Sequence, residues 1–215
     1  MATIAFDVNE TLLSLEPMRA AVGSVLSPDA TGLWFARLLH GSLVANHLGL
    51  QRTFEEVGAT ELQRLAAVAG TTVSEDDART VARAMRALPA HPDVVPGLTA
   101  LRAAGHCLVA FTNGSSDAVR DQLVHAGIDG LFDAMVSVDA GTTFKPHPSS
   151  YATLAGLLQL DPSAVTMVAA HDWDVAGARA AGMRAVFVQR GAPAWWLPLP
   201  QGPTATSIAS VADHL

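Results

Sequence analysis

The sequence predicts an α/β protein: a core with a parallel sheet flanked by helices, and a helical domain inserted after the first strand. Three observations carry this. From residue 97 onward, short and continuously apolar runs alternate with helical patterns of about ten residues, as in a parallel sheet covered on both faces. The run Ile4, Ala5 and Phe6 near the start needs strand partners and finds them only in that sheet. Between the two, residues 15–88 hold no strand pattern but carry apolar residues at helical spacing.

The elements follow in order. A strand over 4–6 ends at Asp7. In the inserted block, Leu33, Trp34, Leu38, Leu39, Val44 and Leu48 form one helical series; Leu62, Leu65 and Val68 a second; Val81, Ala84, Met85 and Leu88 a third. The third opens at Ser74 with Asp77 three residues on, a serviceable helix cap. The proline-dense segment 89–96 interrupts the pattern and marks a domain junction. The core is therefore expected over 1–14 and 92–215, and the inserted domain over 15–91. Helices are expected over 98–104, 117–125, 149–158 and 175–181, with strands over 107–111, 134–138, 165–170 and 185–188. Residues 193–203 read as an irregular loop. Its Trp195 and Trp196 either pack over the core or make a subunit contact, which would give a homodimer.

Composition narrows the function classes. The chain has 215 residues, a formal charge of −7 and no Lys/Arg cluster, so it carries no electrostatic footprint for nucleic acid or an anionic membrane. Neither a secretory leader nor a run long enough to span a membrane is legible. Cys107 is the single cysteine and sits in an apolar run, as a buried inert thiol would. A cytoplasmic protein is expected.

Four strand ends present polar residues: Asp7; Thr112, Asn113, Gly114 and Ser115; Lys145; and His171, Asp172, Trp173 and Asp174. Parallel strands send their carboxyl ends to one edge, so these groups converge on one crevice. A carboxylate with a nearby lysine, hydroxyls beside a helix start and a second carboxylate make a nucleophile site with anion handling.

On these residues the chain resembles the haloacid dehalogenase superfamily. Phe6-Asp7-Val8-Asn9-Glu10-Thr11-Leu12 resembles its first motif, with Asp7 as the nucleophile. Phe111-Thr112-Asn113-Gly114-Ser115 resembles the second, Lys145-Pro146 the third, and Ala170 through Gly182 the fourth. The resemblance implies a Rossmann-like core, a helical cap domain and covalent aspartyl catalysis. Within the superfamily, the metal-free 2-haloacid dehalogenase branch fits better than the magnesium phosphatases. The phosphatases' general acid/base position is Asn9 here, and their magnesium-ligand position falls on Ala170, which offers no oxygen.

The dehalogenase branch implies a small 2-halocarboxylate substrate, no cofactor and no metal. Asp7 attacks carbon and Lys145 holds it ionised. Thr112 and Asn113 orient Asp7 or the substrate carboxylate, or cap the helix near Ser116. Asp174 deprotonates the hydrolytic water or caps the helix that follows. Thr11 contacts substrate or caps its loop, and Tyr151 donates to the substrate carboxylate or packs. Asn9, Phe35 and Trp173 line the substrate, and His171 is a proton carrier near its ordinary pKa of about 6.5 or a polar plug. Three positions depart from the branch. Asn9 replaces an aromatic hydroxyl, His171 replaces an asparagine, and Phe35 follows Trp34 where the branch has its halide-holding arginine. Arg37 takes over that role only if its helix is rotated or shifted in register, because two residues along a helix point about 200° apart. A phosphatase and a non-catalytic binding module remain the alternatives.

Overall fold

In a computed structural model of the chain, the structure describes residues 1–138, 143–191, 195 and 197–215. The chain divides into two compact units, Met1–Ser14 with Pro89–Leu215, and Leu15–Leu88. The first unit opens with strand β1 (Thr3–Phe6), whose last three residues are buried. The second is helical: α1 (Met18–Gly23), α2 (Thr31–His47), α3 (Phe54–Val68) and α4 (Glu75–Arg83).

Helices α3 and α4 start where side chains satisfy the orphan backbone donors. Thr53 and Glu56 form a reciprocal capping box at α3, and the Ser74 hydroxyl accepts the Asp77 amide at α4. The buried face of α2 consists of Thr31, Trp34, Phe35, Leu38, Ser42 and Ala45, while Leu33, Val44 and Leu48 are exposed. The apolar series read from the sequence thus mixes two faces. Trp34 anchors the unit, its indole Nε1 donating to the Gly58 carbonyl at 2.8 Å.

The chain then returns as α5 (Val94–Ala103), β2 (Cys107–Thr112), α6 (Ser116–His125), β3 (Ala134–Ser137), α7 (Pro148–Leu157), β4 (Val165–Ala169), α8 (Asp172–Ala180), β5 (Arg184–Val188) and β6 (Thr204–Ala205). Helix α5 starts four residues before the sequence expectation and contains Pro96. A proline in the first helical turn removes only an amide that has no helical partner, so it need not end the pattern. Gly97 allows this helix to meet the C-terminal 3₁₀ turn (Ala209–His214), since a Cβ there would lie 2.7 Å from the Ala209 nitrogen. Both β6 and that turn lie beyond residue 203, where the sequence reading assigns no element.

The six strands form one parallel sheet in the order β3-β2-β1-β4-β5-β6. Strand β1 is flanked by β2 and β4, with Phe6 level with Ala110 on one side and Val168 on the other. The strand order reverses at β1, so the crevice at its carboxyl end is the switch point of the sheet. Asp7 follows immediately, its amide bonded to the Val168 carbonyl at 3.0 Å. Trp195 lies edge-on to Phe187, with ring centroids 5.6 Å apart, and its Nε1 donates to the Leu199 carbonyl. The packing role accounts for it; Trp196 lies outside the described residues. Cys107 is half-buried rather than buried, and burial together with the Asp133 carboxylate raises its thiol pKa. Among the described residues no helix is long and apolar enough to cross a membrane.

Candidate active site

Asp7, Lys145 and Asp174 are brought together at the carboxyl edge of the sheet. The Lys145 ammonium lies 2.8 Å from Asp7 Oδ1, 2.7 Å from Asp174 Oδ2 and 3.1 Å from the Phe111 carbonyl oxygen. Each of its three N–H groups therefore has an acceptor, which a fully buried ammonium requires. Asn113 fixes the lysine from behind: its Oδ1 accepts the Lys145 amide at 2.8 Å and its Nδ2 donates to the Lys145 carbonyl at 3.2 Å.

Burial opposes ionisation of Asp7. Lys145 and then His171 outweigh it and hold the carboxyl well below the usual carboxylate range. Burial also opposes the charge on Lys145, and Asp174 and Asp7 overcome it, raising the lysine pKa. Asp174 is pushed upward by burial and by the Asp7 charge against the pull of Lys145.

Several expected roles are corrected. Thr112 and Asn113 do not cap the next helix; that is Ser115, whose hydroxyl accepts the Ala118 amide. Thr112 Oγ1 accepts the Gly114 amide at 3.0 Å, and Asn113 serves Lys145 rather than Asp7. Thr11 bridges two strand ends, donating to Asp7 Oδ2 at 2.7 Å and accepting the Ala170 amide at 2.9 Å. Tyr151 is fully buried and donates to Asp174 Oδ1 at 2.6 Å, so its proton is committed to the protein and not to a substrate. Asp174 does not cap α8, which opens two residues earlier with His171 at the cap position. Asp172 and Asp174 both lie in its first turn, where the helix dipole favours carboxylates. Asn9 is buried and accepts from Gln122 Nε2 at 2.9 Å.

His171 is neither a plug nor near its ordinary pKa. Its Nδ1 lies 3.2 Å from Asp7 Oδ2 and its Nε2 2.8 Å from Glu10 Oε2. Burial works against the charge, but the two carboxylates raise the imidazole to about 10. Trp173 stacks on the imidazole with centroids 4.8 Å apart. Phe35 and Arg37 belong to the helical unit, Phe35 buried in it and Arg37 half-buried. Glu10, Gln122 and Arg190, whose guanidinium donates twice to the Thr11 carbonyl, carried no expected role. Glu10 is 161 residues from the histidine it binds, and no local pattern pairs them.

The position four before Asp174 is Ala170 and four before Asp172 is Val168, so neither count yields a magnesium ligand. Among the described residues, no group of three or more His, Cys, Asp or Glu is arranged to hold a metal.

A Rossmann-like sheet carrying an ionised aspartate at its switch point, with a buried lysine as counter-ion, has the makings of a hydrolase with a carboxylate nucleophile. Comparison with known proteins narrows the class. The family model of haloacid dehalogenase-like hydrolases matches residues 1–182, and the chain belongs to that family. It is 27% identical over 190 residues to haloacetate dehalogenase H-2 of Moraxella sp. (strain B), covering 87% of this chain and 85% of that one. It is 28% identical over 190 residues to the (S)-2-haloacid dehalogenase of Xanthobacter autotrophicus, covering 87% and 74%. The fold matches the L-2-haloacid dehalogenase of Xanthobacter autotrophicus with chloropropionic acid covalently bound, at a TM-score of 0.90 and 24% identity over 99% of this chain and 97% of that one.

Proposed function

We propose that the protein is a cytoplasmic 2-haloacid dehalogenase that converts a short 2-halocarboxylate into the 2-hydroxy acid through an ester on Asp7, with no metal or cofactor. The observation that carries this is the Lys145 ammonium bridging Asp7 and Asp174 inside the protein. It keeps Asp7 ionised and aimed, as displacement at carbon requires. The relatives' dehalogenase activity supports the leaving group. Phosphoryl transfer finds less support: Asn9 supplies an amide where a proton-exchanging group would serve, and that amide is engaged with Gln122.

In the first step an Asp7 oxygen attacks C2 of the substrate and halide leaves. Thr11 and Lys145 hold the carboxylate through opposite oxygens, which sets its plane. In the second step water attacks the ester carbonyl and the hydroxy acid departs, restoring the carboxylate. Asn9 and Trp173 contribute to the substrate wall. A homodimer belongs to the same reading.

The test is a single turnover of 2-chloropropanoate in water labelled with heavy oxygen, with protein in excess. The label is expected on Asp7 and not in the product. Label in the hydroxy acid on the first turnover would exclude the ester. Asp7→Asn is expected to release no chloride while melting like the parent, because the amide is nearly isosteric but not nucleophilic.

A further inference from the structure

We propose that His171 is the base that opens the Asp7 ester, oriented by Glu10, so that Asp7, His171 and Glu10 form one catalytic chain. This rests on the dehalogenase reading and assigns its second step.

The geometry separates His171 from Asp174, the other candidate base. Asp174 is fully buried and both its oxygens are occupied at short range, Oδ1 by Tyr151 at 2.6 Å and Oδ2 by Lys145 at 2.7 Å. A water would have to approach a carboxylate that is already tightly held. His171 has a side chain 13% exposed, and its Nδ1 is 3.2 Å from an oxygen of the nucleophile. It occupies the cap position of α8, yet its side chain makes no capping bond to that helix. The ring is turned instead toward Asp7 and held there by Glu10 on Nε2 and by the Trp173 face.

Glu10 reaches Nε2 from a left-handed backbone, φ 61°, which a glutamate adopts only when its surroundings enforce it. Two contacts hold that turn: the Glu10 amide donates to the Leu13 carbonyl, and His91 Nε2 lies 3.1 Å from the Glu10 carbonyl. An outlier residue whose carboxylate clamps a histidine against the nucleophile is an arrangement that packing alone does not require.

The proton balance closes. At rest the imidazolium lies between two carboxylates. Alkylation neutralises Asp7, which removes the stronger of the two interactions that favour the imidazolium, and the ring, its side chain 13% exposed, releases the Nδ1 proton to solvent. Neutral His171 then takes a proton from the water that attacks the ester carbonyl. The C–O bond to the substrate breaks, the departing alkoxide receives that proton, and the Asp7 carboxyl returns its own proton to the ring. The sum is haloacid plus water giving hydroxy acid, halide and one proton. Glu10 acts through the imidazole and is a positioning residue.

Among the described residues, the charged or titratable groups around the ring include Asp7 and Glu10 in direct contact, Lys145 on the far oxygen of Asp7, Asp174 beyond it, Asp172 next in the chain, His91 on the Glu10 carbonyl and Arg190 on the Thr11 carbonyl. Of these, alkylation changes the charge of Asp7 alone.

The experiment is rapid quenching of 2-chloropropanoate with excess protein, reading chloride release and the mass of esterified protein separately over a range of pH. In the unaltered protein, ester decay is expected to slow in acid as one group protonates. His171→Asn is expected to release one equivalent of chloride and then stall, with ester decay slowed about 10²- to 10⁴-fold and the acid limb gone. Glu10→Gln is expected to keep the limb and move it to lower pH. Ester decay unchanged in His171→Asn, or a flat decay profile between about pH 5 and 8 in the unaltered protein, overturns the assignment. The second readout stands even if the variant does not fold. Absence of chloride release from the unaltered protein would instead overturn the dehalogenase reading itself.

Discussion

The hydroxyl of Tyr151 is the short link between a buried aromatic side chain and a buried carboxylate, and it shows how tightly the site is closed at the level of single groups. Burial and the neighbouring Asp174 charge raise its pKa well above the ordinary value, so it is a donor at any physiological pH. Tyr151→Phe removes that donor with almost no change in shape. A hydrogen bond to a charged group contributes about 1.5–3 kcal/mol, and its loss leaves Asp174 Oδ1 desolvated. The variant is expected to lose stability of that order in urea melts and to slow chloride release by weakening the partner of Lys145. An unchanged melt would show that Asp174 is not ionised at rest. The charged cluster of Asp7, Lys145 and Asp174 was legible in the sequence because strand polarity alone brings such groups to one edge. The partners of Tyr151, Asn113 and Glu10 were not, because each lies on an element distant in sequence and leaves no local trace. Asn113 reads as a helix cap until Lys145 is seen against it.

At the scale of elements, α8 and the Lys145 loop meet through a glycine. A Cβ on Gly177 would lie 2.7 Å from the Pro146 carbonyl oxygen, from the Pro146 Cβ and from the Tyr151 hydroxyl, so it has backbone on one side and a buried ring on the other. Neither yields cheaply, and overpacking of this kind costs about 1–3 kcal/mol. Gly177→Ala is expected to lower the melting temperature and to weaken turnover by displacing the third motif from Asp7; a variant that melts and turns over like the parent would show the contact to be slack. The helix–strand alternation was legible because buried parallel strands are continuously apolar. The boundaries were less so: α5 begins before Pro96 and α8 begins at Asp172 rather than after Asp174. Proline in a first turn and a pair of acidic residues at a helix start fit either boundary from sequence alone. The two-residue β6 pairs with β5 through tertiary context, and Thr204 and Ala205 carry no strand pattern of their own.

For the whole molecule, the same charges couple folding to pH. Asp7 is held well below 3.8, so its stabilisation is present above that value and lost as pH falls through the folded pKa. Asp174, raised above 3.8, acts in the opposite sense there, and His91, lowered chiefly by burial, subtracts stability below 6.5. The acid side is therefore a composite. On the alkaline side Cys107, its thiol pKa raised chiefly by burial, subtracts stability above 9.0 in parent and variant alike. His171 is raised from 6.5 to about 10, so its contribution is complete below 6.5, fades as pH rises above it and is gone beyond about 10. Lys145, raised above 10.5, keeps its contribution across that whole interval. Urea melts across the interval are expected to show stability falling with pH in the parent and a flatter profile in His171→Asn, with the two curves converging near pH 10. A parent profile level from 6.5 to 10 would mean that the Asp7–His171–Glu10 contacts carry no ion-pair energy in the folded state, whatever their lengths.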